Sequence, residues 1–127
     1  MKKKRIILGV LLVISMFGSI TAMAASVSGR YVYNSTSYVN GYLEFLEGPL
    51  TIQDKVYYSV SITGQDISQC TVSYDIVVDG EIKVNGVLDP TNTTDSDTDL
   101  KVGYGHEYAQ LNLHFNGTTK TIVSYAD

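Results

Sequence analysis

Apolar and polar residues alternate strictly along several short segments of this chain, and tight-turn dipeptides separate the segments. The clearest one runs over residues 72–78, with valine, tyrosine and isoleucine at every second position, and Asp79-Gly80 follows it. Strict alternation is typical of a half-buried β-strand, and Asp-Gly suits a two-residue hairpin because both central positions need a positive φ. The alternation therefore predicts antiparallel hairpins rather than helices.

The same pattern continues over most of the chain after residue 25. Asn40-Gly41 and Asn116-Gly117 are also predicted to turn the chain, Asn85-Gly86 is either a turn or a bulge, and residues 89–99 form one long polar loop. The predicted strands are 29–34, 37–39 with 42–46, 50–53, 56–63, 71–78, 81–88, 100–103, 108–115 and 118–125. We therefore predict an all-β fold, an antiparallel barrel or sandwich of about eight short strands in a meander-like order.

Residues 1–24 have the three parts of a secretory signal peptide. A cationic start over residues 2–5 precedes an apolar run over 6–14, and Ala22 and Ala24 occupy the two small-residue positions of a cleavage site. Cleavage after Ala24 would leave a secreted, extracytoplasmic domain of residues 25–127, and the lysine-rich start is typical of bacteria. The alternative is an uncleaved anchor over residues 6–25, which also leaves the domain outside the cytoplasm.

Removal of the signal peptide changes the charge of the domain. Residues 1–24 contain four of the nine cations and no carboxylate, so five cations remain against 13 carboxylates, a formal net charge of −8. Such an acidic domain repels phosphate backbones and anionic lipids. We therefore expect neither nucleic-acid binding nor stable membrane insertion after signal cleavage. A cationic protein partner would suit the charge, although solubility alone also explains it.

The residues offer little for catalysis. Cys70 is the only cysteine, so it cannot form an internal disulfide, and a lone cysteine in a β-domain is more often a small buried residue than a nucleophile. His106 and His114 could serve a thiol as bases, but no motif places them beside it. We predict that the domain is not an enzyme and that it uses no cofactor.

One acidic run suggests a weak alternative, a metal site. Asp95, Asp97 and Asp99 alternate as the carboxylates do at the start of an EF-hand calcium loop. Leu100 stands where that loop needs glycine, and His106 stands at its twelfth position, so the EF-hand is excluded. A calcium loop of another kind remains open beside the favoured interpretation, a solvated linker.

All ten tyrosines follow residue 25, and the chain has no tryptophan. Tyrosine suits binding surfaces because it joins a flat apolar ring to a hydroxyl, but it is also a favoured strand residue. Five tyrosines fall on the side of the strands assigned to the core: Tyr31, Tyr33, Tyr58, Tyr74 and Tyr125. The others lie at strand ends or on the opposite side and are the candidate binding residues: Tyr38, Tyr42, Tyr57, Tyr104 and Tyr108.

Several segments recur in the same order in a known group of proteins. They are residues 29–31, 41–45 and 58–62, the cysteine at position 70, and the closing hairpin at 111–117. In these the chain resembles the small exported lipocalin-like meander β-barrels, a group that includes bacterial lysozyme inhibitors. The resemblance implies a non-catalytic binding barrel. Those inhibitors generally hold a disulfide, which Cys70 alone cannot form, so the resemblance assigns no inhibitory residue.

The predicted function is a non-catalytic secreted binding or interaction protein, whose ligand is a small apolar molecule or a cationic protein. The alternative is a structural surface or matrix subunit that assembles through β-sheet edges. A closed barrel with an apolar cavity would favour the small ligand, and a packed core with outward tyrosines would favour the protein partner. An unpaired, uncharged edge strand would favour assembly.

Overall fold

The computed structural model describes residues 20–21 and 26–126 of the chain. Within this part the secondary structure is entirely strands, which confirms the all-β prediction. The strands are β1 (Ile20–Thr21), β2 (Ser26–Asn34), β3 (Ser37–Leu46), β4 (Asp54–Gly64), β5 (Val72–Val78), β6 (Glu81–Leu88), β7 (Thr94–Gly103), β8 (Tyr108–Phe115) and β9 (Thr118–Tyr125). The predicted cleavage residues Ala22 and Ala24 lie outside the described residues. The described part contains no helix that is long and apolar enough to cross a membrane.

The strands form two sheets. The four-stranded sheet has the order β2-β3-β4-β7, and the five-stranded sheet has the order β1-β9-β8-β5-β6. All neighbours are antiparallel except β1 and β9, which are parallel. Because the chain changes sheet after β1, β4, β6 and β7, the predicted meander order holds only over β2, β3 and β4. Over the described residues the sheets do not close into a barrel, so the barrel alternative is wrong and the sandwich alternative is correct.

The core lies between the two sheets. Inner-face residues alternate along the central strands, as in Val56, Val60 and Ile62 of β4 and Leu111 and Leu113 of β8. This confirms the predicted inward side of β4, β5 and β8. The sheets approach closely at Gly41, where a Cβ atom would lie 2.8 Å from Cδ1 of Ile122 on β9.

Two of the predicted hairpin turns are confirmed. Asp79-Gly80 joins β5 to β6 with φ values of 52° and 77°, and Asn116-Gly117 joins β8 to β9 with 54° and 70°. Positive φ at both central positions is the requirement that Asn-Gly and Asp-Gly meet with least strain. Asn85-Gly86 lies inside β6 and does not turn the chain.

The Asn40-Gly41 turn was wrong, because both residues lie in the middle of β3. Asn40 donates from Nδ2 to the side-chain hydroxyls of Ser61 and Thr63 on β4, over 3.2 and 2.9 Å. Gly41 is required by the approach of Ile122 rather than by a turn. Asn40 therefore forms hydrogen bonds between strands, and Gly41 allows close packing between the sheets. The local sequence reveals neither role.

Two segment assignments were also wrong. Residues 94–99, placed in a loop, belong to β7, which pairs with β4 at the edge of the four-stranded sheet. An edge strand can be polar on both sides, so it lacks the alternation that marks buried strands. Residues 50–53, predicted as a strand, begin in a turn in which the Ile52 N–H donates to the Pro49 carbonyl over 2.9 Å.

The predicted inner side of β9 was wrong by one residue. Ile122, Ser124 and Ala126 are buried, and Tyr125 lies on the outer face. Ser124 is tolerated inside because its Oγ accepts the N–H of Phe45 over 3.0 Å, so its polar atom is not left unsatisfied. Because a serine occupies one of the inward positions, apolar periodicity does not identify the inward side of this strand.

Candidate functional site

Three of the five candidate tyrosines share one surface. Tyr38 and Tyr42 are outward residues of β3, and Tyr57 is an outward residue of β4. Tyr42 pairs with Ser59, and Tyr57 pairs with Glu44 in the β3–β4 register. We call this outer face of the four-stranded sheet, with Tyr38, Tyr42 and Tyr57, the tyrosine face.

The other two candidates lie elsewhere. Tyr104 follows β7 in a loop and is 55% exposed. Tyr108 is on the outer face of the five-stranded sheet, where its ring centroid lies 5.4 Å from that of Tyr125. The five predicted residues therefore do not form a single patch, and only the tyrosine face groups several of them.

A shallow depression occupies the middle of the tyrosine face. Its volume is about 490 Å³, and small polar residues from three adjacent strands line most of it. The lining residues are Ser28, Gly29, Arg30, Asn40, Gly41, Tyr42, Ser59 and Ser61. The register explains the depression, because Tyr42 is flanked by Ser28 on one side and Ser59 on the other. Short side chains beside a tyrosine leave a hollow with hydroxyl groups at its floor.

Two residues that line the depression, Arg30 and Tyr42, are held in place by contacts with neighbouring side chains. The guanidinium carbon of Arg30 lies 3.9 Å from the centroid of the Tyr38 ring, within the range of a cation–π interaction. The Tyr42 hydroxyl donates to Oε1 of Glu44 over 2.9 Å. Burial, followed by the hydrogen bond and the charge of Glu44, raises the pKa of Tyr42. Tyr42 therefore stays a protonated hydrogen-bond donor at neutral pH.

Two lysines and one aspartate mark one end of the tyrosine face. Lys55 of β4 lies 3.4 Å and Lys101 of β7 lies 3.2 Å from the carboxylate of Asp99. The hydrogen bonds and charges of the lysines, with Lys101 first, hold the pKa of Asp99 below its usual value. Asp99 is therefore engaged with two cations rather than available to a metal ion.

The other two carboxylates of the suggested calcium loop have separate partners. Asp95 accepts the Tyr74 hydroxyl over 2.8 Å and the Asn92 amide over 3.1 Å, and Asp97 accepts the backbone N–H of Asp99. An extended strand separates the three carboxylates, whereas a calcium loop would curl them around one point. Within the described residues no three histidine, cysteine, aspartate or glutamate side chains are grouped as a metal site.

The outer face of the five-stranded sheet is a hydrogen-bonded network. Asp75 accepts from the Asn112 amide over 2.8 Å and lies 2.8 Å from Nε2 of His114. His114 Nδ1 lies 2.9 Å from the Thr119 hydroxyl, and the Thr121 hydroxyl donates to Oδ1 of Asn112 over 2.8 Å. These contacts connect β5, β8 and β9 across their registers, so the polar groups of this face are largely satisfied by one another.

Cys70 and the two histidines do not form a thiol–imidazole pair. Cys70 is fully buried, and its Sγ lies 4.0 Å from the Asn34 amide. His106 contacts the Asp79 carboxylate over 2.6 Å and the Val102 carbonyl over 3.1 Å, whereas His114 belongs to the network described above. The arrangement that a cysteine nucleophile would need is therefore not assembled among these residues.

Four polar contributors to the tyrosine face escaped the sequence argument: Arg30, Asn40, Ser59 and Ser61. The sequence contains part of the pattern that groups these residues, because Tyr57, Ser59 and Ser61 occupy alternate positions along one strand. The missing information was the register that places Ser59 beside Tyr42 and Ser61 beside Asn40. A scan against protein-family models, a search of curated proteins and a search of solved structures each found no match for this chain.

Proposed function

We propose that the mature domain is a non-catalytic, secreted protein-binding domain and that the tyrosine face contacts the partner. One observation carries the proposal: Tyr42 and Arg30 line a polar depression on the outer face of a sheet that also carries Tyr38 and Tyr57, above a packed core. The secreted location rests on the sequence of residues 1–24.

The packing favours a protein partner over a small apolar ligand. Sites for small apolar molecules are enclosed and lined mainly by apolar side chains. Here the space between the sheets is filled, and the largest side chains in it, including Phe45, Leu111 and Ile122, are fully buried. The depression lies outside this core and is lined mostly by serine, asparagine and arginine. A surface of this kind can take a protruding side chain or loop of another protein.

The residue types of the tyrosine face suit protein recognition. Tyrosine and arginine are enriched among the residues that dominate binding energy, because they bury much area with few rotatable bonds or with directed hydrogen bonds. Serine and asparagine add adaptable hydrogen bonding around such anchors. The contacts between Arg30 and Tyr38 and between Tyr42 and Glu44 hold the anchors in position before a partner arrives.

The charge of the domain favours a cationic partner. The formal net charge after signal removal is −8. A net acidic domain accelerates encounters with a basic protein and discourages acidic ones. Binding should therefore weaken as the salt concentration rises.

The test is affinity capture from culture supernatant of the source cells with the chain that begins at Ala25. We expect a basic protein to be captured, and the double variant Tyr42→Ser/Tyr57→Ser to weaken its binding by about 30-fold or more, since each tyrosine contributes at least about 1 kcal/mol and the two together about 2 kcal/mol. The matched control is Tyr104→Ser/Tyr108→Ser, which lies outside both the tyrosine face and β9 and should leave the affinity within about twofold. Equal loss in both double variants, or loss in neither, would contradict the assignment.

A further inference from the structure

The last strand of the chain offers an unguarded sheet edge once the signal peptide is gone. In the full chain, β9 lies between β8 and β1, and Ile20 and Thr21 of β1 pair with Ile122 and Val123. Cleavage after Ala24 would remove β1. Among the described residues of the mature domain, β8 is then the only strand hydrogen-bonded to β9.

The hydrogen bonds of β8 and β9 show which backbone groups point to this edge. The N–H of Ala126 donates to the carbonyl of Glu107 over 2.8 Å, in the same register that pairs Tyr125 with Tyr108. Hydrogen-bonded pairs alternate with non-hydrogen-bonded pairs in an antiparallel ladder. The even residues of β9 therefore bond to β8, and the N–H and C=O groups of Thr119, Thr121, Val123 and Tyr125 point to the edge.

Two of the other edges of the sandwich are better protected. The edge strand β7 carries the carboxylates of Asp95, Asp97 and Asp99, and charged side chains are a common protection against edge-to-edge pairing. The edge strand β6 carries Glu81 and Lys83, and a register shift at Ile76 interrupts its pairing with β5. The edge strand β2 shifts its register only near Val32, at its end. Within Thr118–Tyr125, β9 has a regular register, no proline and a single charged residue.

The β9 edges of two copies of the domain are complementary to each other. Antiparallel pairing of two β9 strands about a twofold axis at Ile122 would place Thr121 opposite Val123 and Thr119 opposite Tyr125. Such β-branched and aromatic pairs stabilise sheets. The one charged residue, Lys120, would face Ser124, so the pairing brings no like charges together. Inner faces would also match, because Ile122 would meet Ile122 of the second copy.

We propose that the mature domain forms a twofold dimer through β9, and that Ile20 and Thr21 of the export signal occupy the middle of this edge until the signal is cleaved. The precursor uses the edge for β1, and the mature chain uses the same outward N–H and C=O groups for β9 of a second copy. The two five-stranded sheets, each reduced to four strands, would join into one continuous sheet. This dimer does not depend on the tyrosine face, which lies on the other sheet.

Sedimentation equilibrium of the chain that begins at Ala25 tests the dimer. We expect the wild type to dimerise with rising concentration and Val123→Pro to raise the dissociation constant at least about tenfold, because proline removes an N–H at the edge without removing a hydrogen bond of the β8–β9 ladder. Ser96→Pro is the matched control. The N–H of Ile62 donates to the Thr93 carbonyl, and the same alternation directs the N–H of Ser96 away from β4.

A charge exchange distinguishes this dimer from other assemblies. Thr121→Glu/Val123→Glu should be monomeric because carboxylates face one another across the axis, and so should Thr121→Lys/Val123→Lys. Mixing the two variants should restore a dimer that contains one copy of each. Circular dichroism and thermal melting show whether each variant is folded. A wild type that stays monomeric, a dimer that survives the charged variants, or no dimer on mixing would overturn the proposal.

Discussion

The outer faces of the two sheets carry tyrosines in different surroundings. On the five-stranded sheet, Tyr108 and Tyr125 contact each other, and neighbouring polar groups are joined through Asp75, Asn112 and His114. On the four-stranded sheet, Tyr42 lines a depression with serine hydroxyl groups, and Tyr38 contacts Arg30, which lines the same depression.

This difference separates a face that stabilises the fold from one that is free to bind. Burial and the neighbouring Tyr108 raise the pKa of Tyr125, which is consistent with a ring that packs against its own sheet. Cross-strand networks contribute to stability because each polar group already has its partner. On the tyrosine face, the contacts of Tyr38 with Arg30 and of Tyr42 with Glu44 hold the rings in position, while the depression beside Tyr42 is open to a partner.

Among variants that compare the two faces, Asp75→Ala should change the free energy of unfolding most. Replacing Asp75 with alanine removes the acceptor of both Asn112 and His114, and we expect the free energy of unfolding to fall by about 2 kcal/mol. Urea denaturation measures this change. On the tyrosine face, Glu44→Ala removes only the bond to the Tyr42 hydroxyl and should cost less than about 1 kcal/mol. If Glu44→Ala were the more destabilising change, the two faces would have been assigned the wrong roles.

A smaller effect is expected where the two sheets are joined. Tyr74 of β5 donates to Asp95 of β7 across the sandwich, so Tyr74→Phe should lower the free energy of unfolding by about 1 kcal/mol at neutral pH. Burial, and then the bond to Asp95, raise the pKa of Tyr74 well above 10. The stabilisation is therefore complete below pH 10 and is lost as the pH rises above it.

Measurements of the free energy of unfolding at alkaline pH test the direction of this effect. Denaturation measured between pH 8 and pH 12 should show a shallower loss of stability for Tyr74→Phe than for the wild type, because the variant lacks one group that the unfolded chain ionises more readily. Parallel curves for the two proteins would mean that Tyr74 does not contribute to the alkaline instability.

The smallest effect concerns the rim of the depression. A double-mutant cycle with Arg30→Ala and Tyr38→Ala should give a coupling free energy of about 0.5 kcal/mol, typical of an exposed cation–π contact. The same cycle for Tyr108→Ala and Tyr125→Ala should give about 1 kcal/mol, as aromatic pairs do. Chemical denaturation of the four variants provides both values. A stronger coupling at the rim than in the aromatic pair would show that the tyrosine face also stabilises the fold.

The local sequence was sufficient to predict features that depend on a few consecutive residues. The turns at Asp79-Gly80 and Asn116-Gly117 need positive φ at both positions, and few residues other than asparagine, aspartate and glycine adopt it easily. Alternation over Val72–Val78 marked a strand because one side of it is wholly buried. Both signals lie within a few consecutive residues.

Contacts between distant segments could not be predicted in this way. Gly41 resembled a turn residue, yet its role is to admit Ile122 from a strand about 80 residues away. The depression depends on the register that places Ser28 and Ser59 beside Tyr42, and no local signal encodes that register. The tyrosines themselves were predictable as surface candidates. Their division between two sheets followed from the chain crossing between sheets after β4 and β7.

The most direct test of the tyrosine face is an NMR titration of the mature domain with its captured partner. Tyrosine-selective labelling gives a separate ring signal for each of the ten tyrosines. We expect the signals of Tyr38, Tyr42 and Tyr57 to shift or broaden on binding and those of Tyr108 and Tyr125 to stay unchanged. Perturbation of Tyr108 and Tyr125 with the other three unaffected would contradict this expectation.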